Sequence, residues 1–417
     1  MYIDINVLQT VPASNINRDE TGSPKTVIYG GVTRARVSSQ AWKRAVRQAF
    51  SQEGKDSDWL EGLRTEFGPI LLSKEIAKQN DGIDTETAQQ LADSLFDLAG
   101  VSVNSDHKTK ALYMLSQGQL ERMVEFTIDH QDELVDKKAS GTKKFKDAVK
   151  NAFKGANSAD LALFGRMVAN DQALTVDGAA QVAHAISTHE IVPEFDYYSA
   201  VDDAKDSDSD AGAAMLGTIE YNSSTLYRYA NVNLNELIHN LGDPEIAYKA
   251  LRYFIKDFTM SMPTGKQHSF ANKTVPQYIM VTLRPDTPVN LVSAFEDPVV
   301  ATHGYVAPSI KKLEDEYNKI EKMVDDPVAN LVLTTEKTSF TDGEADGLTD
   351  LLNKVGEAIL KEGAQEWKLW QLSWRGLCKH TAIRPTSNIG RFTGTHRKAR
   401  CWGWLLLPWG MGTVTHG

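Results

Sequence analysis

Gly265 and Lys266 have the residue types that end a phosphate-binding Walker loop, in which backbone N–H groups and the lysine hold a nucleotide. That motif needs a glycine five positions before Gly265, where Met260 stands, and Ser or Thr after the lysine, where Gln267 stands. The spacing therefore excludes a Walker loop.

Histidines and serines are the other groups with catalytic potential. His184 and His189 are five positions apart and diverge around a helix, and the order His-Glu-x-x-His of zinc proteases is absent. Ser38 and Ser39 lack the Gly-x-Ser-x-Gly elbow of a nucleophile, so a helix N-cap is the better interpretation. With only two cysteines, a disulfide framework or a four-cysteine zinc site is excluded. We predict no catalytic residue, no metal and no cofactor.

Binding chemistry is better supported, because residues 21–52 contain no acidic residue. The basic residues of this segment are Lys25, Arg34, Arg36, Lys43, Arg44 and Arg47. A helix that begins near Ser38 offers free N–H groups and a positive dipole end to an anion. Arg34 and Arg36, two residues apart on a strand-like segment, point the same way and could extend the site. A phosphate-binding surface is predicted here, against the alternative of a merely solvated basic helix face.

The elements that must position these residues follow from periodicity. Residues 38–50 predict an amphipathic helix. Its apolar stripe is Trp42, Val46, Ala49 and Phe50, and its polar face is Gln40, Lys43, Arg44 and Arg47. Residues 2–8 alternate like a half-buried strand, and residues 227–234 and 278–283 are also strand-like. Helices are predicted within 56–162, at 177–190, at 243–260 and at 310–323, and a hairpin-like excursion at 195–221.

This order of elements predicts an α+β fold with helices on one face of an antiparallel sheet, as in the ferredoxin-like motif. The chain of 417 residues is long enough for one elaborated domain or two to three smaller ones. No apolar run is long enough to span a membrane, so we expect a cytosolic, cytoplasmic protein.

The formal charge of −10 argues, as a sum, against a nucleic-acid binder. Its distribution argues otherwise. Of the 45 Lys and Arg, 37 precede Glu366 and 8 follow it, whereas all 55 Asp and Glu lie at or before that residue. The body therefore carries −18 and the tail +8. The tail also holds both cysteines and six of the eight tryptophans, which indicates an appended or altered-frame segment.

Several motifs resemble the CasC family, the repeated backbone subunit of the type I-E Cascade complex in CRISPR defence. They occur in family order and cover the chain from Met1 to about Trp370. The matching segments are residues 15–19, 30–47, 162–167, 176–189, 196–203, 216–218, 227–231 and 265–267.

The resemblance implies a hand-like subunit with a palm of RRM-type ferredoxin-like fold, a large helical fingers insertion and a protruding thumb hairpin. The implied boundaries are residues 1–55 for the first part of the palm, 56–170 for the fingers, 171–192 for more of the palm, 193–224 for the thumb, 225–373 for the remaining palm and 374–417 for the atypical basic tail.

The same resemblance implies that copies stack head to tail along CRISPR guide RNA. The implied RNA backbone contacts are Lys25, Ser39, Gln40, Lys43, Arg44, Arg18, Arg47 and Lys266. The residues implied to wedge into the RNA and displace a base are Met167, Tyr198 and Leu216. The implied partners are the guide RNA, target DNA through the guide, further copies of the chain and other Cascade subunits, with no membrane. An apolar wedge offsets lost stacking without reading base identity.

Two other functions stay open. Related backbone subunits in other CRISPR types cut RNA complementary to the guide, and Asp19 or the pair Asp202 and Asp203 would then be the metal-binding candidates. The chain could also act alone as a single-stranded RNA chaperone, in which case it would bind as isolated monomers.

Overall fold

The computed structural model describes residues 1–53, 56–80, 82–168, 171–200 and 215–363. The basic tail 374–417 and the pair Asp202 and Asp203 lie outside these ranges. None of the helices within them is long and apolar enough to cross a membrane.

A nine-stranded sheet forms the centre of the described chain, and its paired neighbours run antiparallel. The strands of the chain are β1 (Tyr2–Ser14), β2 (Thr26–Tyr29), β3 (Val32–Val37), β4 (Leu63–Thr65), β5 (Tyr113–Leu115), β6 (Ala180–Val182), β7 (Ala185–Ser187), β8 (Glu194–Ala200), β9 (Met215–Asn233), β10 (Tyr278–Arg284) and β11 (Ala329–Thr334). Their order in the sheet is β11-β10-β1-β9-β7-β3-β2, with β6 and β8 also paired to β9, while β4 and β5 pair separately.

The helices are α1 (Ser39–Phe50), α2 (Ser57–Leu60), α3 (Gly68–Gln79), α4 (Thr85–Leu98), α5 (Gln117–Asp129), α6 (Gln131–Val135), α7 (Lys137–Ser140), α8 (Lys143–Ala152), α9 (Ala159–Phe164), α10 (Leu234–Leu241), α11 (Pro244–Met260), α12 (Gln267–Phe270) and α13 (Val306–Ile320). Residues 348–363 are also helical. The strand order β10-β1-β9 followed by β6 and β7, with α1 and α11 as the crossovers, is that of a ferredoxin-like unit. The predicted α+β fold class is thus confirmed.

Strand β1 is buried on both faces, so its prediction as half-buried was wrong. Ile3, Ile5 and Val7 pack with α1, α10 and α11 on one side of the sheet. Asp4 and Asn6 are equally buried on the other side, where α13 covers the sheet. The expectation of helices on one face only is corrected by the same observation. The hydrophobic periodicity of β1 could not predict that its second face is covered, because the β1 side chains on that face are polar and are buried through hydrogen bonds to other side chains.

Helix α1 forms as predicted, with Ser38 as its N-cap. The Ser38 hydroxyl accepts a hydrogen bond from the N–H of Ala41 at 3.3 Å. Trp42, Val46 and Phe50 are buried, and Ala45 completes the buried face in place of the predicted Ala49. The helix is thereby anchored by one side.

The helices between residues 68 and 152 form a helical lobe with its own apolar core. Phe96 and Phe153 meet edge to face at its centre, with ring centroids 5.2 Å apart. The protruding hairpin, defined here as β8 with residues 215–221 of β9, pairs Glu194 with Tyr221 and Ala200 with Met215. The predicted hairpin-like excursion is confirmed. The domain boundaries implied by the resemblance stay predictions.

The helix predicted over residues 177–190 was wrong, because this segment forms β6 and β7. Both strands pair with β9, and Ala180 and Ala185 are buried against it. A Cβ at Gly178 would lie 2.8 Å from the backbone of Phe164, so small residues are needed here for close packing. The alanines that suggested a helix serve sheet packing instead, a case of tertiary context overriding propensity.

Candidate nucleic-acid interface

The α1 surface, defined as Ser39, Gln40, Lys43 and Arg44, faces away from the core. No acidic residue lies in the first turn of α1. Arg44 and Gln40 are exposed, whereas Lys43 is half-buried with its Nζ 5.4 Å from the ring centre of Phe164. Burial lowers the pKa of Lys43, since a desolvated ammonium without a counter-ion is disfavoured. An anion at this surface would restore the stabilisation that burial removes.

Asn17 joins Lys25 to this helix start. Its side-chain oxygen accepts from the N–H of Ser38 at 2.8 Å, and its carbonyl accepts from the N–H of Lys25 at 2.9 Å. Asn17 therefore links the backbone of Lys25 to the N-terminus of α1. Sequence reasoning missed Asn17, whose only signal was a polar residue in a turn-rich loop.

Arg18 and Lys266 line a cleft of about 710 Å³ at the base of the protruding hairpin. They come together because Gly265 packs on the loop before Arg18, where a Cβ would lie 2.3 Å from the carbonyl oxygen of Ile16. The cleft also contains two carboxylates, Asp196 and Glu220. It is thus less uniformly basic than the α1 surface.

Arg34 is not part of the basic surface, which corrects the expectation that it extends the phosphate site. The side chain is fully buried. Its guanidinium donates to the carbonyl oxygens of Tyr29, Ser187 and Phe295 at 3.2, 3.0 and 2.8 Å. Arg34 therefore ties β3 to β7 and to the segment before α13. The alternation of side chains along the strand predicts the same side for Arg34 and Arg36, so it could not show that Arg34 is buried.

Arg47 is also engaged within the chain. Its Nε donates to Asp160 at 2.7 Å and its terminal nitrogen to the carbonyl of Gly62 at 2.8 Å. These bonds join α1 to α9 and to the start of β4. Arg47 has fewer free donors for RNA than the exposed Arg44.

Met167, the predicted wedge residue outside the hairpin, is 87% exposed. It follows Arg166, whose buried guanidinium donates to the carbonyls of Met114 and Leu174 at 2.8 and 3.2 Å. Phe164, three residues before Met167, is the ring that contacts Lys43. A rigidly held loop thus presents an apolar side chain close to the α1 surface.

Tyr198 and Leu216, the other predicted wedge residues, lie on the protruding hairpin and are 44% and 58% exposed. Tyr198 pairs with Gly217 and Leu216 with Ser199, so the two side chains lie on opposite faces of the ribbon. The Tyr198 ring lies over Gly217, where a Cβ would be 2.4 Å from the ring. One hairpin therefore presents an apolar side chain on each face.

The sheet face that stacks bases in RRM proteins is closed here. Tyr227, Tyr229 and Tyr278 lie on that face but are buried beneath α13 and the 3₁₀ turn Leu291–Phe295. The Tyr227 hydroxyl donates to Asn6 at 2.7 Å, and that of Tyr229 donates to Asp4 at 2.7 Å. These aromatic residues belong to the core and are not available to stack bases.

Asp19, a metal-binding candidate of the nuclease alternative, has one carboxylate oxygen hydrogen-bonded within its own loop. Its carboxylate accepts from the hydroxyl and N–H of Thr21 at 2.7 and 2.9 Å and from the N–H of Ser23 at 3.1 Å. Among the described residues, no group of three or more His, Cys, Asp or Glu side chains is placed to hold a metal ion.

A second basic surface was missed by sequence reasoning. Helix α8 carries the exposed lysines Lys143, Lys144 and Lys146, with Asp147 as the one acidic residue between Asp136 and Asp160. The signal was the same local charge imbalance that drew attention to residues 21–52.

Comparisons with known proteins identify one family and two similar solved chains. A family model described as CT1975-like protein, a Cas family, matches residues 3–357. A chain from a pre-nicking CRISPR RNA-guided surveillance complex is 30% identical, with a TM-score of 0.73, and the match covers 86% of this chain and 100% of that one. A chain from a second CRISPR RNA-guided surveillance complex is 28% identical, with a TM-score of 0.64 and the same coverage. No curated protein matches the sequence significantly.

Proposed function

The chain belongs to the CT1975-like family of Cas proteins, and from this premise we propose that it is the guide-RNA-binding backbone subunit of a Cascade complex, the CasC subunit of type I-E. It holds the sugar-phosphate backbone of the CRISPR RNA and leaves the base edges free to pair with target DNA. Its partners are the guide RNA, further copies of itself and other Cascade subunits. The similarity to chains of RNA-guided surveillance complexes supports this role.

The α1 surface is the observation that carries the proposal. It combines a helix N-terminus, exposed and half-buried cations, and no acidic residue in the first turn. Such a surface binds the phosphates of an RNA whatever its base sequence. A subunit that holds guide RNAs of different sequences requires this property. The closed sheet face supports the same conclusion, because its aromatic residues Tyr227, Tyr229 and Tyr278 are buried and cannot read bases by stacking.

Salt dependence tests this proposal directly. The double variant Lys43→Ala with Arg44→Ala removes two phosphate contacts, so the slope of log affinity against log salt is expected to fall by about 1 to 1.5 for unrelated single-stranded RNAs. The matched control is Lys311→Ala with Lys319→Ala on α13, whose lysines contact Asp315 and Glu316 at 2.9 and 3.3 Å. The control should leave the slope unchanged. An unchanged slope in the first variant would contradict the proposal.

The protruding hairpin is proposed to reach a neighbouring copy and, with Met167 of that copy, to displace RNA bases at intervals. Support comes from the exposed apolar side chains of the hairpin, which are Phe195, Tyr197, Tyr198, Met215 and Leu216. A cluster of exposed apolar side chains is typical of a surface that contacts another molecule. A head-to-tail contact that does not close gives a filament whose length the RNA can limit. Electron microscopy of the assembled complex should show copies repeating along one RNA strand; isolated copies would contradict this part.

The subunit is proposed to bind RNA without cutting it. Support comes from the described residues, among which no group of three or more His, Cys, Asp or Glu side chains is placed to hold a metal ion. Incubation of the assembled complex with complementary RNA and Mg²⁺ is expected to leave the RNA intact. Periodic cuts that disappear in Asp19→Ala would overturn it.

A further inference from the structure

His184 lies between β6 and β7, in the segment that was predicted to be a helix. Its side chain contacts Arg36 of the basic segment 21–52. A terminal nitrogen of the Arg36 guanidinium lies 3.3 Å from Nδ1 of His184. A guanidinium has no acceptor, so Nδ1 must accept and carries no proton in this arrangement. The imidazole is therefore neutral, with its proton on Nε2, and the side chain is exposed.

The surroundings of His184 are cationic. Arg36 is held in place because its Nε donates to the carbonyl of Thr26 at 3.1 Å and its backbone N–H to the carbonyl of Lys25 at 2.9 Å. The charged groups that act on His184 in the described chain are Arg36 of β3 and Lys25 of the loop before β2. Burial, and then the charges of these two residues, lower the pKa of His184.

This cluster continues the α1 surface. Lys25 donates its N–H to the carbonyl of Asn17, and the side chain of Asn17 accepts from Ser38 at the start of α1. Lys25 also accepts the N–H of Arg36 at its carbonyl, so hydrogen bonds link the start of α1 to both cations.

We propose that Lys25, Arg36 and His184 together form a phosphate-binding site that extends the α1 surface. This inference rests on the proposed RNA-binding function and adds His184 to it. When an RNA phosphate binds, Nδ1 of His184 takes a proton from solvent. The hydrogen bond from Arg36 to Nδ1 is then replaced by bonds from both groups to phosphate oxygens, and the phosphodiester keeps its single charge throughout.

The proposal predicts that RNA binding is linked to pH. In the free chain the two cations oppose protonation of His184, whereas a bound phosphate favours it, so the pKa of His184 is higher in the complex. The extra affinity is fully present below the pKa of the free chain and is lost as pH rises through the pKa of the complex. The pKa of His184 in the free chain lies below its ordinary value of about 6.5, so this loss of affinity begins below about pH 6.5 and continues as pH rises above it.

The test is binding of a labelled single-stranded RNA to the full chain at about pH 6 and about pH 8, at constant ionic strength. The wild type is expected to bind about three- to tenfold more tightly at the lower pH, since one unit of pKa shift is worth a factor of ten. His184→Gln should bind with nearly equal affinity at both values, and His184→Lys should bind tightly at both. The matched control His239→Gln, an exposed histidine in the last turn of α10, should keep the wild-type pH dependence.

The outcomes separate this inference from the proposed function. Tight binding by the wild type with no pH dependence, or with a dependence that persists in His184→Gln, would overturn the role of His184 and leave RNA binding standing. No binding at either pH would contradict both.

Discussion

Strand β9 has two halves with opposite environments. Residues 224–232 are buried in the central sheet between β1 and the β6/β7 pair. Residues 215–221 leave the sheet with β8 as the protruding hairpin, where Met215 and Leu216 are 56% and 58% exposed. One continuous strand thus carries both a core and an apolar surface.

The two halves show how an apolar surface that belongs to the core differs from one that is exposed to solvent. In the buried half even the cation is internal: Arg228 lies over Trp42 at 3.8 Å from the ring centre and donates to Gln9. On β8, which pairs with the exposed half, even the aromatic residues are exposed to solvent. Contiguous exposed apolar residues mark surfaces that contact a partner, so we expect the buried half to govern folding and the exposed half to govern assembly.

The largest effect is expected for Arg228→Ala. The variant removes a fully buried side chain that packs on Trp42 and Phe258 and hydrogen-bonds the carbonyls of Phe258 and Thr259. The cavity and the unpaired carbonyls should lower the free energy of unfolding by about 3 to 5 kcal/mol, measured by urea denaturation. Arg44→Ala, on an exposed face, is the matched control and should change it by less than about 0.5 kcal/mol. If Arg228→Ala lowered the free energy of unfolding by no more than Arg44→Ala does, the buried half of β9 would not govern folding.

How far the sequence predicted this arrangement depends on the residue. The apolar stripe of α1, its Ser38 cap, β10 and α11 follow from periodicity and capping, which are local. Arg34 and Arg44 were both predicted to be surface cations. Arg34 is buried because segments distant in the sequence cover it, and local patterns do not show such contacts. The second cover of the sheet and the strands β6 and β7 were missed for the same reason. The site residues inferred from resemblance stay predictions, although the structure places Arg18, Lys25, Lys266 and the α1 surface on adjoining segments.

On the protruding hairpin, Tyr198→Ala and Leu216→Ala are expected to act on RNA rather than on folding. In the assembled complex each should weaken RNA binding by about 1 to 3 kcal/mol per displaced base, because the apolar surface that replaces base stacking is lost. A fluorescent base analogue at the displaced position should become quenched as it returns to the stack. Val192→Ala, which truncates an even more exposed apolar residue outside the hairpin, should leave the signal bright. Equal signals in all three variants would show that the hairpin is not the wedge.

A smaller effect is expected for Tyr229→Phe in the buried half. The hydroxyl of Tyr229 donates to Asp4, which also accepts from Arg284 and from the N–H of Val289 at 3.1 and 2.9 Å. The variant should lower the free energy of unfolding by about 1 to 2 kcal/mol.

This loss should depend on pH. Burial raises the pKa of Asp4 to about 6, although the bonds from Tyr229 and Arg284 act in the opposite direction. A carboxyl whose pKa is raised by folding contributes stability at low pH that is lost as pH rises towards that value. The deficit of Tyr229→Phe should therefore be larger at about pH 8, where Asp4 is ionised and needs its donors most, than at about pH 5. Tyr197→Phe on the exposed hairpin should show no deficit at either pH.

The smallest effect, and the sharpest test of the comparison, is expected for Leu216→Gln. The side chain is exposed in a single copy, so its replacement removes no internal contact and should change the free energy of unfolding by less than about 0.5 kcal/mol at low protein concentration. If the hairpin docks on a second copy, the same variant should lower the urea midpoint at high protein concentration, because association stabilises folded chains by mass action. A large loss at low concentration would instead show that Leu216 belongs to the core of its own chain, and the division of β9 into a folding half and an assembly half would fail.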